Sequence, residues 1–266
     1  MPIKGHYKFV NSFRSTSSLT YLPSPATQRT CMSAAVKRYR YLRKLTNFRQ
    51  MDFEFALWQM TFLFINPQKV YRNFQHRKET KLQFARDDPA FLVLLSGLLC
   101  VSSIAFTYVL RLGFIEFLKF LLYIVTVDCL LSGVIISTVL WIVANRYLIK
   151  SNYKGQDVEW AYAFDIHLNA FVPTLVISHI FQLFFYHIFL RHDWFLPLFI
   201  GNTLWLIAIG YYLYITFLGY SCLPILHKTE VLLTPFILLF FLYILSFAIN
   251  WNISDNVMSI YKYRIL

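Results

Sequence analysis

A few polar side chains stand inside otherwise apolar runs of this sequence, and they are the residues that can do chemistry. Asp128 lies near the middle of the run Phe117–Val143. A polar lead-in, Asp157–Ala170, carries Glu159, Asp165, His167 and Asn169. His179 and Gln182 follow at i, i+3, then His187, and Asn202 interrupts the next run. Ionisable groups inside membrane segments mark ion paths, proton relays or paired contacts. One reading is therefore a proton or ion path, or an Asp/His metal site. The other is a set of interhelical hydrogen bonds, each worth about 0.6–2 kcal/mol. Spacing favours the second. Asp165 and Asn169 share a helix face at i, i+4, whereas Asp165 and His167, two apart, point about 200° away from each other. His179 has no acid one turn away in its own helix. Asp128 needs a partner from another element. No nucleophile elbow, H-E-x-x-H or P-loop is present. Cys31, Cys100, Cys129 and Cys222 show no metal-ligand spacing. No catalytic, metal or cofactor-binding residue is assigned, and no cofactor is expected.

A second cluster can bind surfaces. Lys37, Arg38, Arg40, Arg43, Lys44 and Arg49 surround Tyr41, Leu45 and Phe48, which recur at i, i+4, i+7. Trp58, in the apolar stretch Met51–Ile65, together with Arg72 and Arg77, extends the same surface. Basic residues near an anionic leaflet contribute about 1 kcal/mol each, so membrane adhesion or partner docking is one reading. Tyr39, Tyr41 and Phe48 interleaved with Arg also fit RNA. The plain alternative is a topogenic positive flank.

The elements that must hold these residues are helices in a bilayer. The 266 residues are 58% hydrophobic and only 14% charged, against roughly 45–50% and about 25% in soluble domains. Mean hydropathy is +0.51. The fold class is all-α, an integral membrane protein with about five transmembrane helices in one bundle. The spans are expected at Phe91–Leu110, Phe117–Val143, Phe171–Leu190, Phe195–Phe217 and Val231–Ile249. Met51–Ile65 is too short to cross about 30 Å of hydrocarbon and is read as an interfacial helix ended by Asn66-Pro67. The domain reading is a disordered tail over 1–33, a basic cytosolic and interfacial helical region over 34–90, the transmembrane domain over 91–250 and a short tail over 251–266. The Arg- and Ser-rich start has some transit-peptide character, but Pro2, Pro23 and Pro25 and the missing amphipathic period argue against that. Short loops imply antiparallel neighbours, and no internal repeat is visible.

Orientation follows from charge. Residues 1–90 hold sixteen of the twenty-five Lys and Arg. With the N-terminus inside, twenty basic residues fall on the cytosolic side and four on the other, Lys119 near a membrane face being assigned to neither. Five spans then leave the C-terminus lumenal. Lys262 and Arg264 approach a dibasic retrieval signal, which a lumenal tail would make accidental. Asn252-Ile253-Ser254 is a glycosylation sequon close to the last span.

Three long stretches carry a resemblance. FRQMDFEFALWQMTFLFINPQKVYRNFQHRKETKLQFARDDPAFLVLL (48–95), DVEWAYAFDIHLNAF (157–171) and GNTLWLIAIGYYLYITFLGYSCLP (201–224), with the ending YKYR (261–264), resemble the uncoordinated-fifty family of Golgi membrane proteins. The first thirty-odd residues lie outside it. The resemblance implies a five-span protein of the early secretory pathway with a cytosolic N-terminus, in the Golgi membrane, with the inner nuclear membrane as a second location. It implies a non-enzymatic role in vesicle trafficking and in surface delivery of nicotinic-type receptors. The implied partners are Arf guanine-nucleotide exchange factors, receptor cargo and RNA, beside the lipid bilayer that hydropathy already gives. It supplies no catalytic residues. The docking surface is expected on Met51–Asp88 and Asn145–Trp160. The alternatives are a small transporter or channel using Asp128, Asp165 and the histidines, and a membrane-tethered RNA-binding protein.

Overall fold

Apolar runs of twenty or more residues leave the backbone one way to satisfy its N–H and C=O groups in hydrocarbon, which is the helix. The computed structural model describes residues 43, 47–73, 86, 88–153, 156–185 and 195–265. Five of its helices are long and apolar enough to cross a membrane. We name seven helices. α1 is Phe53–Ile65; the spans are α2 (Ala90–Leu110), α3 (Phe114–Leu148), α4 (Trp160–Phe185), α5 (Phe195–Ser221) and α6 (Thr229–Ala248); and α7 is Ile253–Ile265. Among the described residues the sole β pairing is an isolated bridge between Ile149 and Leu226. The all-α, five-span reading therefore holds. The tail 1–33 and the basic helix around Lys37, Arg38, Arg40 and Lys44 lie outside the described residues, as does Arg77.

Alternating spans give the bundle two ends. We call the end holding the start of α2 the near face and the end holding its last turn the far face. At the near face the loop after α3 is clasped to the loop after α5. Lys150 N–H donates to the Ile225 carbonyl at 3.0 Å and His227 N–H to the Leu148 carbonyl at 2.9 Å. Asn145 accepts from Val158 N–H at 2.8 Å, and Trp141 Nε1 donates to the Val158 carbonyl at 2.8 Å.

α4 is the central helix and α6 the most lipid-facing: 61% of the apolar window of α4 is buried within the protein, against 11% for α6. This corrects the expected third span. The polar helical lead-in is not separate from a span that begins at Phe171. It is part of α4, because Ile166, His167, Leu168 and Asn169 are all buried against other helices. A helix that faces protein can carry polar residues that a lipid-facing helix cannot. Pro173 sits inside α4, where it removes one ladder hydrogen bond, and a π-helical segment follows at Val176–Phe181. α3 contains two more, Ile124–Leu131 and Ala144–Leu148.

Two glycines permit the close approach of α4 to its neighbours. A Cβ on Gly133 of α3 would lie 2.6 Å from the His167 ring, and one on Gly219 of α5 would lie 2.9 Å from Ile166. Small residues at helix contacts let backbones approach in this way.

α1 is held by the bundle. Asp52 caps it, accepting from Phe55 N–H at 2.9 Å, and Ala56, Gln59 and Leu63 are buried. Asn66 ends it, as the Asn-Pro pair predicts, and residues 67–73 are again helical. The tip is tied to α5, with Tyr211 OH donating to the Phe64 carbonyl at 2.6 Å and Gln68 Nε2 donating to Tyr214 OH at 2.8 Å.

Candidate functional site

The polar residues of α4 sort into three clusters, each reached by a different face of the helix. The first lies toward the near face. Asn169 Oδ1 accepts from Gln59 Nε2 of α1 at 2.9 Å and from Arg86 Nη2 at 2.6 Å. Asn169 Nδ2 donates to Tyr71 OH at 3.4 Å. One turn earlier, Asp165 accepts from the Arg86 backbone N–H at 2.6 Å. The shared face of Asp165 and Asn169 is thus the one that receives the chain leading into α2. The Arg86 guanidinium lies 3.8 Å over the Phe91 ring. Among the described residues its Nε and Nη1 are buried without a hydrogen-bond partner, and the ring face offsets part of that cost. Tyr71 is buried, and loss of water raises its phenol far above the usual range, so it stays a neutral hydroxyl.

The second cluster lies at the same depth on another face of α4. His167 Nε2 faces the Cys129 carbonyl of α3 at 3.1 Å, and Nδ1 faces Tyr212 OH of α5 at 2.8 Å. A carbonyl only accepts, so in the neutral ring Nε2 carries the proton and Nδ1 accepts from Tyr212. His167 therefore bridges α3 and α5 through α4, on the side away from Asp165, as their two-residue spacing requires.

The third cluster is toward the far face and depends on α7. Tyr261 OH donates to Asp128 Oδ2 at 2.9 Å, which is the partner Asp128 lacked within its own run. Burial, then the Asp128 carboxyl beside it, raises the Tyr261 phenol well above its usual range, so it remains a donor. The Tyr261 ring packs edge-on against Phe120 at 5.4 Å and Phe106 at 5.9 Å, and lies 6.2 Å from the His179 ring. His179 Nδ1 shares a hydrogen bond with Ser102 Oγ of α2 at 2.8 Å. Gln182, with its amide oriented to suit its neighbours, donates to the Ser178 carbonyl and accepts from Ser254 Oγ at 2.7 Å and Trp205 Nε1 at 2.8 Å. Asn202 fixes the start of α7. It donates to Ser246 Oγ and the Trp251 carbonyl, each at 2.9 Å, and accepts from Ile253 N–H at 3.1 Å.

Asp128 and His179 meet through Tyr261, while Asp165 and Asn169 meet through Arg86. His167 joins neither pair. The expected short tail over 251–266 is a helix built into the bundle; Ser254, Met258 and Tyr261 are buried. Lys262 and Arg264 project from it, and Arg264 donates to Tyr123 OH at 2.9 Å. Among the surface residues, Arg43, Arg49 and Arg72 are exposed, and Trp58 stacks between Phe55 at 5.8 Å and Phe62 at 4.8 Å. Among the described residues no group of three or more His, Cys, Asp or Glu is placed to hold a metal.

Reading the sequence alone missed Gln59, Tyr71, Arg86, Tyr212 and Tyr261. Gln59 was findable: it is an amide in the middle of an apolar run. Tyr261 was not, because its environment is made by residues on other helices, far away in the sequence.

The UNC-50 family model matches residues 41–262. The Danio rerio protein called Protein unc-50 homolog is 59% identical over 235 residues, covering 88% of this chain and 91% of that one. The Homo sapiens protein of the same name is 57% identical over 233 residues (88% and 90%), and the Drosophila melanogaster one 52% over 258 residues (96% and 94%). No solved structure matches significantly. The match spans α1 through Tyr261 and so includes every helix that contributes to the three clusters. The chain belongs to the UNC-50 family.

Proposed function

We propose that this chain is a non-enzymatic Golgi membrane protein that supports vesicle trafficking and surface delivery of receptors. In this reading it recruits an Arf guanine-nucleotide exchange factor at the near face. The observation that carries it is the Gln59–Asn169–Arg86–Asp165 network, which mounts the N-terminal helices rigidly on α4. A docking platform needs that: a basic, aromatic surface held in one orientation, since pre-organised surfaces lose less entropy on binding. Arg49 and Arg72 are exposed on it, and the clasped loop from Asn145 to Trp160 lies at the same end of the bundle. Family membership supports a role at the level of the family.

The test is co-purification from mild detergent of the full chain with the exchange factor. The double charge reversal Arg49→Glu and Arg72→Glu leaves the network intact and is expected to lose the partner while the protein elutes as folded. Undiminished recovery of the exchange factor overturns the proposal. Salt-sensitive crosslinking of RNA to the wild-type chain, lost in the same variant, would replace it with the RNA-tethering reading.

A further inference from the structure

Toward the far face, on the side of the bundle turned to lipid, the structure holds a groove of about 1190 Å³. Its walls are the last three turns of α2, the Arg111–Gly113 link, the first turn of α3 and the end of α4. Val101, Ile104, Ala105, Phe117, Ile180 and Phe184 are representative of the lining. Pockets for small ligands run to roughly 300–1,000 Å³, so this one is larger.

The groove has a depth and a polarity. α2 has 21 residues, or roughly 32 Å at 1.5 Å per residue, which matches about 30 Å of hydrocarbon. Arg111 caps its end and therefore stands at headgroup level, with exposed Tyr108 beside it as an interfacial aromatic. Val101 lies ten positions earlier, roughly 15 Å deeper, near the midplane. The groove thus runs through one leaflet. Its interior hydroxyls are already used: Thr107 Oγ1 donates to the Ser103 carbonyl and Ser102 Oγ is tied to His179. No hydrogen bond or ion pair among the described residues engages the Arg111 guanidinium, which is exposed at the groove's mouth. An occupant must therefore be apolar along one leaflet's depth and negatively charged at its top.

We infer that this groove is a binding site for one diacyl phospholipid of the far leaflet, its acyl chains between α2 and α4 and its phosphate on Arg111. Three helices enclose the chains, which distinguishes the site from the convex surface of α6 that ordinary boundary lipid covers. The inference does not depend on the trafficking role.

Native mass spectrometry of the purified full chain tests it, with dioleoyl phosphatidylglycerol, phosphatidylcholine and diacylglycerol added separately. Both phospholipids carry the phosphate and diacylglycerol does not. One tightly retained phospholipid is expected, with diacylglycerol held roughly tenfold more weakly. Arg111 sits at φ 53°, a conformation that Asn tolerates, so Arg111→Asn removes the charge and keeps the cap. It is expected to lower phospholipid retention about tenfold, in line with a charge-assisted contact. Ile104→Trp, which fills the groove, is expected to abolish it, while Ile237→Trp on the exposed surface of α6 leaves it unchanged. If Ile104→Trp does not fold, Arg111→Asn and the lipid comparison decide the matter. Equal retention of diacylglycerol, or retention unaffected by Arg111→Asn, overturns the proposal.

Discussion

Replacing Asn169 with Leu attacks the near-face network at its hub. Asn169 Oδ1 is the acceptor for both Gln59 and Arg86, and Leu supplies none. Gln59 is 2% exposed, so its orphaned amide bears close to the full cost of an unsatisfied buried donor, about 1–3 kcal/mol. Arg86 is half-buried and recovers part of its loss from solvent. Together the cost is about 3 kcal/mol. For a chain of this size about 1 kcal/mol moves Tm by roughly 2–4 °C, giving a drop of roughly 6–12 °C. The companion change Gln59→Leu removes the amide and leaves Asn169 bound to Arg86, at about 1 kcal/mol. The double variant then leaves no orphaned amide, so its cost falls short of the sum of the singles by at least about 1 kcal/mol. The assay is thermal unfolding of the purified full chain in mild detergent, followed by tryptophan fluorescence and by size exclusion. A drop under about 2 °C for Asn169→Leu, or strict additivity in the double variant, would refute the claim that this network mounts α1 on α4.

Gly133→Ala should cost about 1–3 kcal/mol by overpacking, because its new Cβ meets the His167 ring at 2.6 Å, whereas Gly97→Ala meets nothing within 4 Å and should be neutral or slightly stabilising; chemical denaturation of the two variants checks the contrast. Asp128→Asn and Tyr261→Phe should each fold in higher yield than Asp128→Leu, since the amide still accepts from Tyr261 and Phe keeps the packing on Phe106 and Phe120. If Asn and Leu fail alike, the carboxyl has a role beyond holding α7. An Asn-x-Thr acceptor on a spacer after Leu266 should be glycosylated in microsomes if five spans follow a cytosolic N-terminus; an unmodified, protease-accessible tail would reverse the orientation.

Hydropathy made the five spans legible, and helical spacing made part of the site legible. The i, i+4 pair Asp165/Asn169 does share one neighbour, and His167 does face away. The limits of α4 were only partly legible: the lead-in reads as a polar helix, but a window average cannot tell a polar helix buried against protein from one that lies outside the membrane. Asp165, His167 and Asn169 depressed the apolar signal where burial is greatest. α7 was lost for a related reason. Its sequence, ISDNVMSIYKYRI, is not apolar enough to announce burial; what buries Tyr261 is a surface assembled from α2, α3 and α4. Arg86 was hidden in a run of similar charges, with nothing local to mark it as the one facing Asn169.

The docking of α7 also sets an order of events during synthesis. Tyr261 is made 133 residues after Asp128. At about 5–20 residues per second, the Asp128 carboxyl waits roughly 7–27 s in the nascent chain before its partner exists. Over that interval the sides of Phe106, Phe120 and His179 that Tyr261 will cover are open, and so are Gln182 and Asn202, whose α7 partners are not yet made. A chain stalled or cut before Tyr261 would have all five spans inserted and still present that surface. Arrival of α7 is therefore the step that closes this end of the bundle.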